Sequence, residues 1–140
     1  MNFNRNILTE LRAWSERPGR KPLVLRGARQ VGKTTMVQVF GNEFDHFIAL
    51  NLEKSNDRAF FTGYERIENA VAAILFANNV VAGAGKTLLF IDEIQTEPKA
   101  VAWLRYFYEQ FPEIFVIAAG SLFETLLESK QRRSRFCAAL

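Results

Sequence analysis

Residues 22–36 read PLVLRGARQVGKTTM: a short apolar run, then Gly27, four intervening residues, Gly32-Lys33-Thr34, and a segment able to continue as a helix. No other stretch limits the fold as much. Gly27 and Gly32 permit positive dihedrals and close backbone approach, so successive N–H groups can converge on an anion at the start of the helix. Such a loop works only between a strand and a helix, and the flanking patterns supply both. Lys33 would then reach the β and γ phosphates of a bound nucleotide, and Thr34 would ligate magnesium. The candidate nucleotide-contacting stretch is Gly27, Ala28, Arg29, Gln30, Val31, Gly32, Lys33, Thr34 and Thr35. Within it Arg29 and Gln30 occupy loop-interior positions whose roles the pattern leaves open.

The rest of the chain continues the strand–helix alternation. Ile7, Leu8, Leu11 and Trp14 recur at helical spacing, giving an N-terminal helix over 4–17 that stops at Arg17-Pro18-Gly19. FIALNLE (47–53), TLLFID (87–92) and IFVIAAG (114–120) read as strands, and the last two are nearly all apolar, as strands covered on both faces should be. Helices are expected over IENAVAAILFANN (67–79), over PKAVAWLRYFYEQF (98–111) with Pro98 in its first turn, and near 122–129. The segment between residues 53 and 67 reads as a polar loop. Strands alternating with helices predict an α/β domain with a parallel sheet and right-handed crossovers. No internal repeat or low-complexity segment interrupts it.

Composition narrows the function classes. A 140-residue chain with 49% apolar and 24% charged residues is of single-domain size and can bury a core. Its 13 Phe residues must be buried in that core or covered by a partner. The net charge of +3 comes from Lys130, Arg132, Arg133 and Arg135; residues 1–129 hold 14 basic and 15 acidic groups, so a general nucleic-acid footprint is absent. Cys137 is the single cysteine, so no intrachain disulfide can form, and MNFNRNILTELRAW has no apolar signal core; a cytoplasmic protein is expected. The run AVAAILFANNVVAGAG (70–85) is interrupted by Asn78 and Asn79 and falls short of the roughly 20 apolar residues of a membrane span.

A phosphate loop needs an acidic partner for the metal, and LLFIDE (88–93) ends in Asp92 and Glu93. Asp92 would hold magnesium, usually through water, while Glu93 would orient and deprotonate a water for attack on the γ phosphate. The bland alternative for Glu93 is a solvated acid at a strand end. Ser121, after Gly120 at the end of the fourth strand, would sit at the carboxyl edge of the sheet, where open α/β folds bind ligands, and serve as a γ-phosphate sensor. It could equally cap LFETLLES, with Glu124 completing a capping box. GAGKT (83–87) imitates a second phosphate loop, but Val80 stands where its first glycine should be and Lys86-Thr87 leads into a strand; a flexible turn is expected. His46 has no Cys or second His nearby in a zinc pattern and reads as a core-edge or surface residue.

RGARQVGKTT, then LLFIDEIQ, then an apolar strand ending in GSLFETLL resembles the prokaryotic AAA-type ATPases of the AAA_14 kind over about residues 5–129. The resemblance implies a three-layer P-loop NTPase core of the additional-strand class. It also implies phosphate binding at Gly27, Gly32, Lys33 and Thr34, metal near Asp92, water activation by Glu93 and a sensor at Ser121. Family members often carry Thr before the Gly-Ser pair; here Ala119 stands instead. They also run on through a fifth core strand, a trans-acting arginine and a C-terminal domain of unknown function. This sequence continues instead as KQRRSRFCAAL, so residues 130–140 read as a basic non-family tail and the core as truncated, lacking its last strand. In the strand order 5-1-4-3-2 of that class the loss leaves PLVLRG an unpaired edge prone to association.

The function expected is Mg-dependent ATP hydrolysis in the complete protein, with ATP and Mg2+ as ligands. A nucleotide-binding remnant without turnover is the alternative, and a small-molecule kinase-like protein a weaker one, since a kinase would usually do without Glu93. A GTPase is disfavoured: Asp92 is followed by Glu-Ile-Gln, not D-x-x-G, and no N-K-x-D guanine reader occurs. The expected partners are a second copy of the chain or the missing C-terminal domain, with neither nucleic acid nor a membrane.

Overall fold

The computed structural model of the chain describes residues 2–25, 31–120 and 137–139. Helix α1 (Asn2–Ser15) leads to strand β1 (Leu23–Leu25) and helix α2 (Val31–Gly41). Strand β2 (His46–Asn51) is followed by helices α3 (Ser55–Thr62) and α4 (Ile67–Ala77), strand β3 (Thr87–Asp92) and a 3-10 turn at Ile94–Thr96. Helix α5 (Pro98–Gln110), strand β4 (Ile114–Ala119) and strand β5 (Cys137–Ala139) complete the described elements.

The strands form one sheet in the order β2-β3-β4-β1-β5, and the first four are mutually parallel. This is the expected α/β core. β3 and β4 lie in its middle and are buried along nearly their whole length, which explains their unbroken apolar sequences. β2 is an outer strand: Ile48 and Leu50 are buried while Ala49 between them is exposed.

Alternate strand residues feed two separate cores. Val24, Ile48, Leu50, Leu89, Ile91, Val116 and Ala118 face α3, α4 and α5, meeting Phe61, Val71, Ile74, Trp103, Leu104 and Phe107. Leu23, Leu25, Leu88, Phe90, Phe115 and Ile117 face α1 and α2, meeting Ile7, Leu11, Trp14, Met36, Val37 and Phe40. Three layers result, helices on both sides of a parallel sheet. The heavy Phe content is absorbed largely here: Phe40, Phe61, Phe90 and Phe107 are essentially inaccessible, although Phe76 is 85% exposed.

Two expectations need correction. The polar segment after β2 contains helix α3, and its placement has a clear cause. The Asp57 carboxylate accepts the Asn51 N–H at 2.9 Å, and the Arg58 guanidinium donates to the Leu52 carbonyl at 2.8 Å. Those bonds tie a short helix, whose Phe61 is buried, to the end of β2. Second, the outer flank of β1 is not bare. Cys137–Ala139 pairs with it antiparallel, Leu25 opposite Cys137 and Leu23 opposite Ala139. A ladder needs only backbone donors and acceptors in reach, so a tail with no side-chain periodicity can still satisfy an edge. The expected helix near 122–129 lies outside the described residues.

Smaller expectations fall into place. GAGKT is a turn with Gly83 at φ 81° and Gly85 at φ 104°, and Lys86 donates its N–H to Asp45 at 2.8 Å before β3 begins. The His46 ring bonds the Ala84 carbonyl at 2.9 Å, so this histidine pins that turn. Trp14 donates its indole N–H to the Lys21 carbonyl at 2.7 Å, fixing the exit of α1 ahead of β1. Nearby the Arg20 guanidinium lies 3.3 Å from the Phe115 ring centroid and donates to the Pro112 carbonyl, and its burial lowers its pKa from the ordinary value.

Candidate functional site

Because β1, β3 and β4 are parallel and adjacent in the order β3-β4-β1, their carboxyl ends share one edge of the sheet. At that edge α2 begins after β1, Asp92 ends β3, and Gly120 follows β4. Open α/β sheets bind ligands there because the helix N-termini and strand-end side chains converge on it.

The half expected to grip phosphate rests on α2. Its first turn contains no acidic residue, so that turn itself places no carboxylate at the helix start, the end of a helix that favours anions. Of the expected contacts, Val31, Gly32 and Lys33 belong to the backbone of α2, and Thr34 and Thr35 follow in the same helix, Thr34 partly shielded and Thr35 exposed. Gly27, Ala28, Arg29 and Gln30 lie outside the described residues. Met36, Val37 and Phe40 seat the helix in the core beside α1, and Arg12 of α1 meets Glu43 just past α2 with an N–O distance of 2.5 Å.

The acidic half is built by an abrupt turn. β3 delivers Asp92 partly exposed, and Asp92 Oδ1 accepts the Glu93 N–H at 2.9 Å. Glu93 itself is in the left-handed region, φ 53° and ψ 45°, a conformation that costs a residue with a Cβ about 1–2 kcal/mol. It is also only 9% exposed. The reading of Glu93 as a solvated strand-end acid therefore does not describe it. Strained backbone held by its surroundings is a common mark of functional positions.

What holds the turn is partly apolar. Ile94, the next residue, is fully buried in the core that faces α3, α4 and α5. Glu97 then caps α5, its carboxylate accepting the Lys99 N–H at 3.0 Å with Pro98 in the first turn. The Lys99 ammonium in turn donates to the Tyr64 carbonyl and lies 4.9 Å from the Trp103 ring centroid.

Gln95 is the residue that sequence reasoning missed. Its side-chain amide donates to Glu93 Oε1 at 2.8 Å, so one carboxylate oxygen of the expected base is already held. The signal in the sequence is only a Gln two residues after the acid. Ser121, the expected sensor, lies outside the described residues, while its neighbour Gly120 is placed at the end of β4.

The donor chemistry fits magnesium and a nucleotide. Thr34 offers a hydroxyl and Asp92 a carboxylate, both hard oxygen donors. Among the described residues no group of three or more His, Cys, Asp or Glu side chains could cage a metal. Magnesium typically takes one or two protein oxygens and completes its shell with phosphate and water.

Residues 19–136 match the AAA domain family AAA_14. The chain belongs to that family. Membership brings the family's general use of nucleotide and magnesium. The chain is also 29% identical to the replication factor C large subunit of Thermococcus kodakarensis over 89% of its own length and 25% of that protein's. It is 28% identical to chromosome transmission fidelity protein 18 of Schizosaccharomyces pombe over 67% of its own length and 9% of that protein's. This AAA domain thus spans a quarter or less of the length of these relatives. Among the described residues no helix is long and apolar enough to cross a membrane.

Proposed function

We propose that this AAA domain binds Mg-ATP at the carboxyl edge of its sheet and hydrolyses it, acting in the cytoplasm. The observation that carries the reading is Glu93: an acid next to the metal-binding candidate Asp92, buried, held in a left-handed backbone and hydrogen-bonded at 2.8 Å.

Gly27 to Thr35 bind the phosphates through backbone N–H groups, with Lys33 directed at the β and γ positions. Thr34 and Asp92 would hold the cation, which would supply positive charge beside the phosphates. Glu93 orients a water and accepts its proton as the oxygen attacks the γ phosphorus, the bond from that phosphorus to the β-phosphate oxygen breaks, and ADP leaves with those electrons; Ser121 reports the state of the γ phosphate. Mg-ATP, when bound, supplies the transferable phosphoryl group and the positive charge that offsets the negative charge developing on it. Assembly with further copies of the chain or with another domain is part of the same proposal.

The test compares the parent chain with Lys33→Ala and Glu93→Gln in thermal unfolding with Mg-ATP and in phosphate release. The parent is expected to gain about 2.7 kcal/mol at ligand a hundred-fold above Kd, a gain that Lys33→Ala abolishes. Glu93→Gln should keep that gain and lose turnover by about 10²–10⁴. Tight binding with parent turnover no greater than that of Glu93→Gln would identify a nucleotide holder instead.

A further inference from the structure

Gln95 lies in the 3-10 turn directly after Glu93, and its two amide atoms have unequal surroundings. Nε2 donates to Glu93 Oε1 at 2.8 Å. Oε1 is buried and has no hydrogen-bond partner among the described residues. The same oxygen lies over the α-carbon of Gly120: a β-carbon at that position would overlap it and would reach 3.4 Å from the Ile94 nitrogen. Gly120 therefore acts as a seat, and only glycine lets the carboxamide lie so close to the end of β4.

The arrangement joins three elements. β3 supplies Glu93, the turn supplies Gln95, and β4 supplies the surface against which Gln95 rests. A turn whose only task is to connect β3 to α5 would not need a buried amide with an unsatisfied carbonyl, since an apolar side chain would fill the same space without that penalty. What the amide provides, and an apolar group cannot, is a donor aimed at one oxygen of Glu93.

We propose that Gln95 is a positioning residue for Glu93, and that Gly120 sets its place. The inference rests on the hydrolase reading above. Gln95 fixes the direction of the Glu93 carboxylate before nucleotide arrives, so that proton acceptance from the attacking water proceeds from one rotamer rather than several. Because the carboxamide rests on the residue before Ser121, a shift of the β4 end would be passed to Glu93 through Gln95.

The test uses the full 140-residue chain. Gln95→Leu removes the donor and keeps the bulk; kcat should fall at least about ten-fold while KM for Mg-ATP stays within about two-fold of the parent, since only orientation for the chemical step is lost. In a Glu93→Gln background the same change should lower turnover no further, because the group it positions is gone. Gly120→Ala, which pushes the amide off its seat without removing a polar group, should reproduce the selective loss of kcat; it decides the matter should Gln95→Leu fail to fold.

Unchanged kcat in these variants, beside a parent whose turnover depends on Glu93, overturns the inference alone. A loss that persists undiminished in the Glu93→Gln background overturns it as well, by marking Gln95 as a packing residue. A parent that turns over ATP no faster than Glu93→Gln removes the hydrolase reading and this inference together.

Discussion

The two faces of the sheet are both apolar, yet they support different halves of the candidate site. The face towards α3, α4 and α5 buries Ile94 with Trp103, Leu104 and Phe107, and so fixes the turn that carries Glu93 and Gln95. The face towards α1 and α2 packs Trp14, Phe40, Phe44 and Phe115 edge to face, with ring centroids 5.0–6.2 Å apart, and so fixes α2, the helix expected to follow a phosphate loop. On the proposed reading, gripping a phosphate and activating a water would be anchored in separate cores, with β1, β3 and β4 between them. A binding defect and a chemical defect should then have separable structural origins.

The largest test of this division is to empty one core at a time. Phe107→Ala and Phe40→Ala should each cost about 3–5 kcal/mol in denaturant unfolding, a large share of the stability of a domain this size. Similar losses on both faces would show two cores of comparable weight; a loss under about 1 kcal/mol at either site would break the comparison.

Milder changes sharpen it. Ile94→Val should cost about 0.5–1.5 kcal/mol and lower kcat more than Mg-ATP affinity, because Ile94 anchors the Glu93 turn. Val37→Ala on the opposite face should do the reverse, loosening α2 and weakening nucleotide affinity with less effect on kcat. Steady-state kinetics and titration of both variants check the crossing, and equal effects of both on kcat and affinity would show that the faces act as one body.

The smallest expected effect is a pH dependence outside both halves. A hydrogen bond from its own backbone N–H at the start of α4, and secondarily Arg66 at 3.3 Å, holds the Glu68 carboxyl below the usual carboxylate range. With the folded value depressed, its contribution is present above the ordinary carboxylate pKa and is lost as pH falls through the depressed one. Glu68→Gln should lower the thermal midpoint slightly at neutral pH and leave it unchanged in acid below the depressed value, as unfolding scans at a neutral and an acid pH would show.

Much of the fold was legible because the informative signals were local. TLLFID and IFVIAAG are long apolar runs bounded by polar residues, and the two central strands they became are buried on both faces. Asp92-Glu93 at the end of such a run was legible for the same reason. α3 was not, since eight residues beginning Ser-Asn-Asp-Arg have little helical pattern and owe their placement to bonds with the end of β2. Gln95 was illegible in a different way. Its role depends on a left-handed Glu93 and on Gly120, 25 positions along the chain, coming beneath its amide through the pairing of β3 with β4. The pairing of the tail with β1 was not legible either, because a backbone ladder leaves little trace in side-chain pattern.

The left-handed backbone of Glu93 also bears on how this domain would respond to selection. Asparagine occupies that region at little cost, so if Glu93 activates water as proposed, the residue best suited to the backbone at position 93 and the residue suited to the chemistry are different. A population of variants enriched only for heat resistance would be drawn towards exchanging the acid, and would drift into ATP binders that no longer turn over. Retention of glutamate against that pull is the mark by which a working lineage of such domains could be told from an idle one.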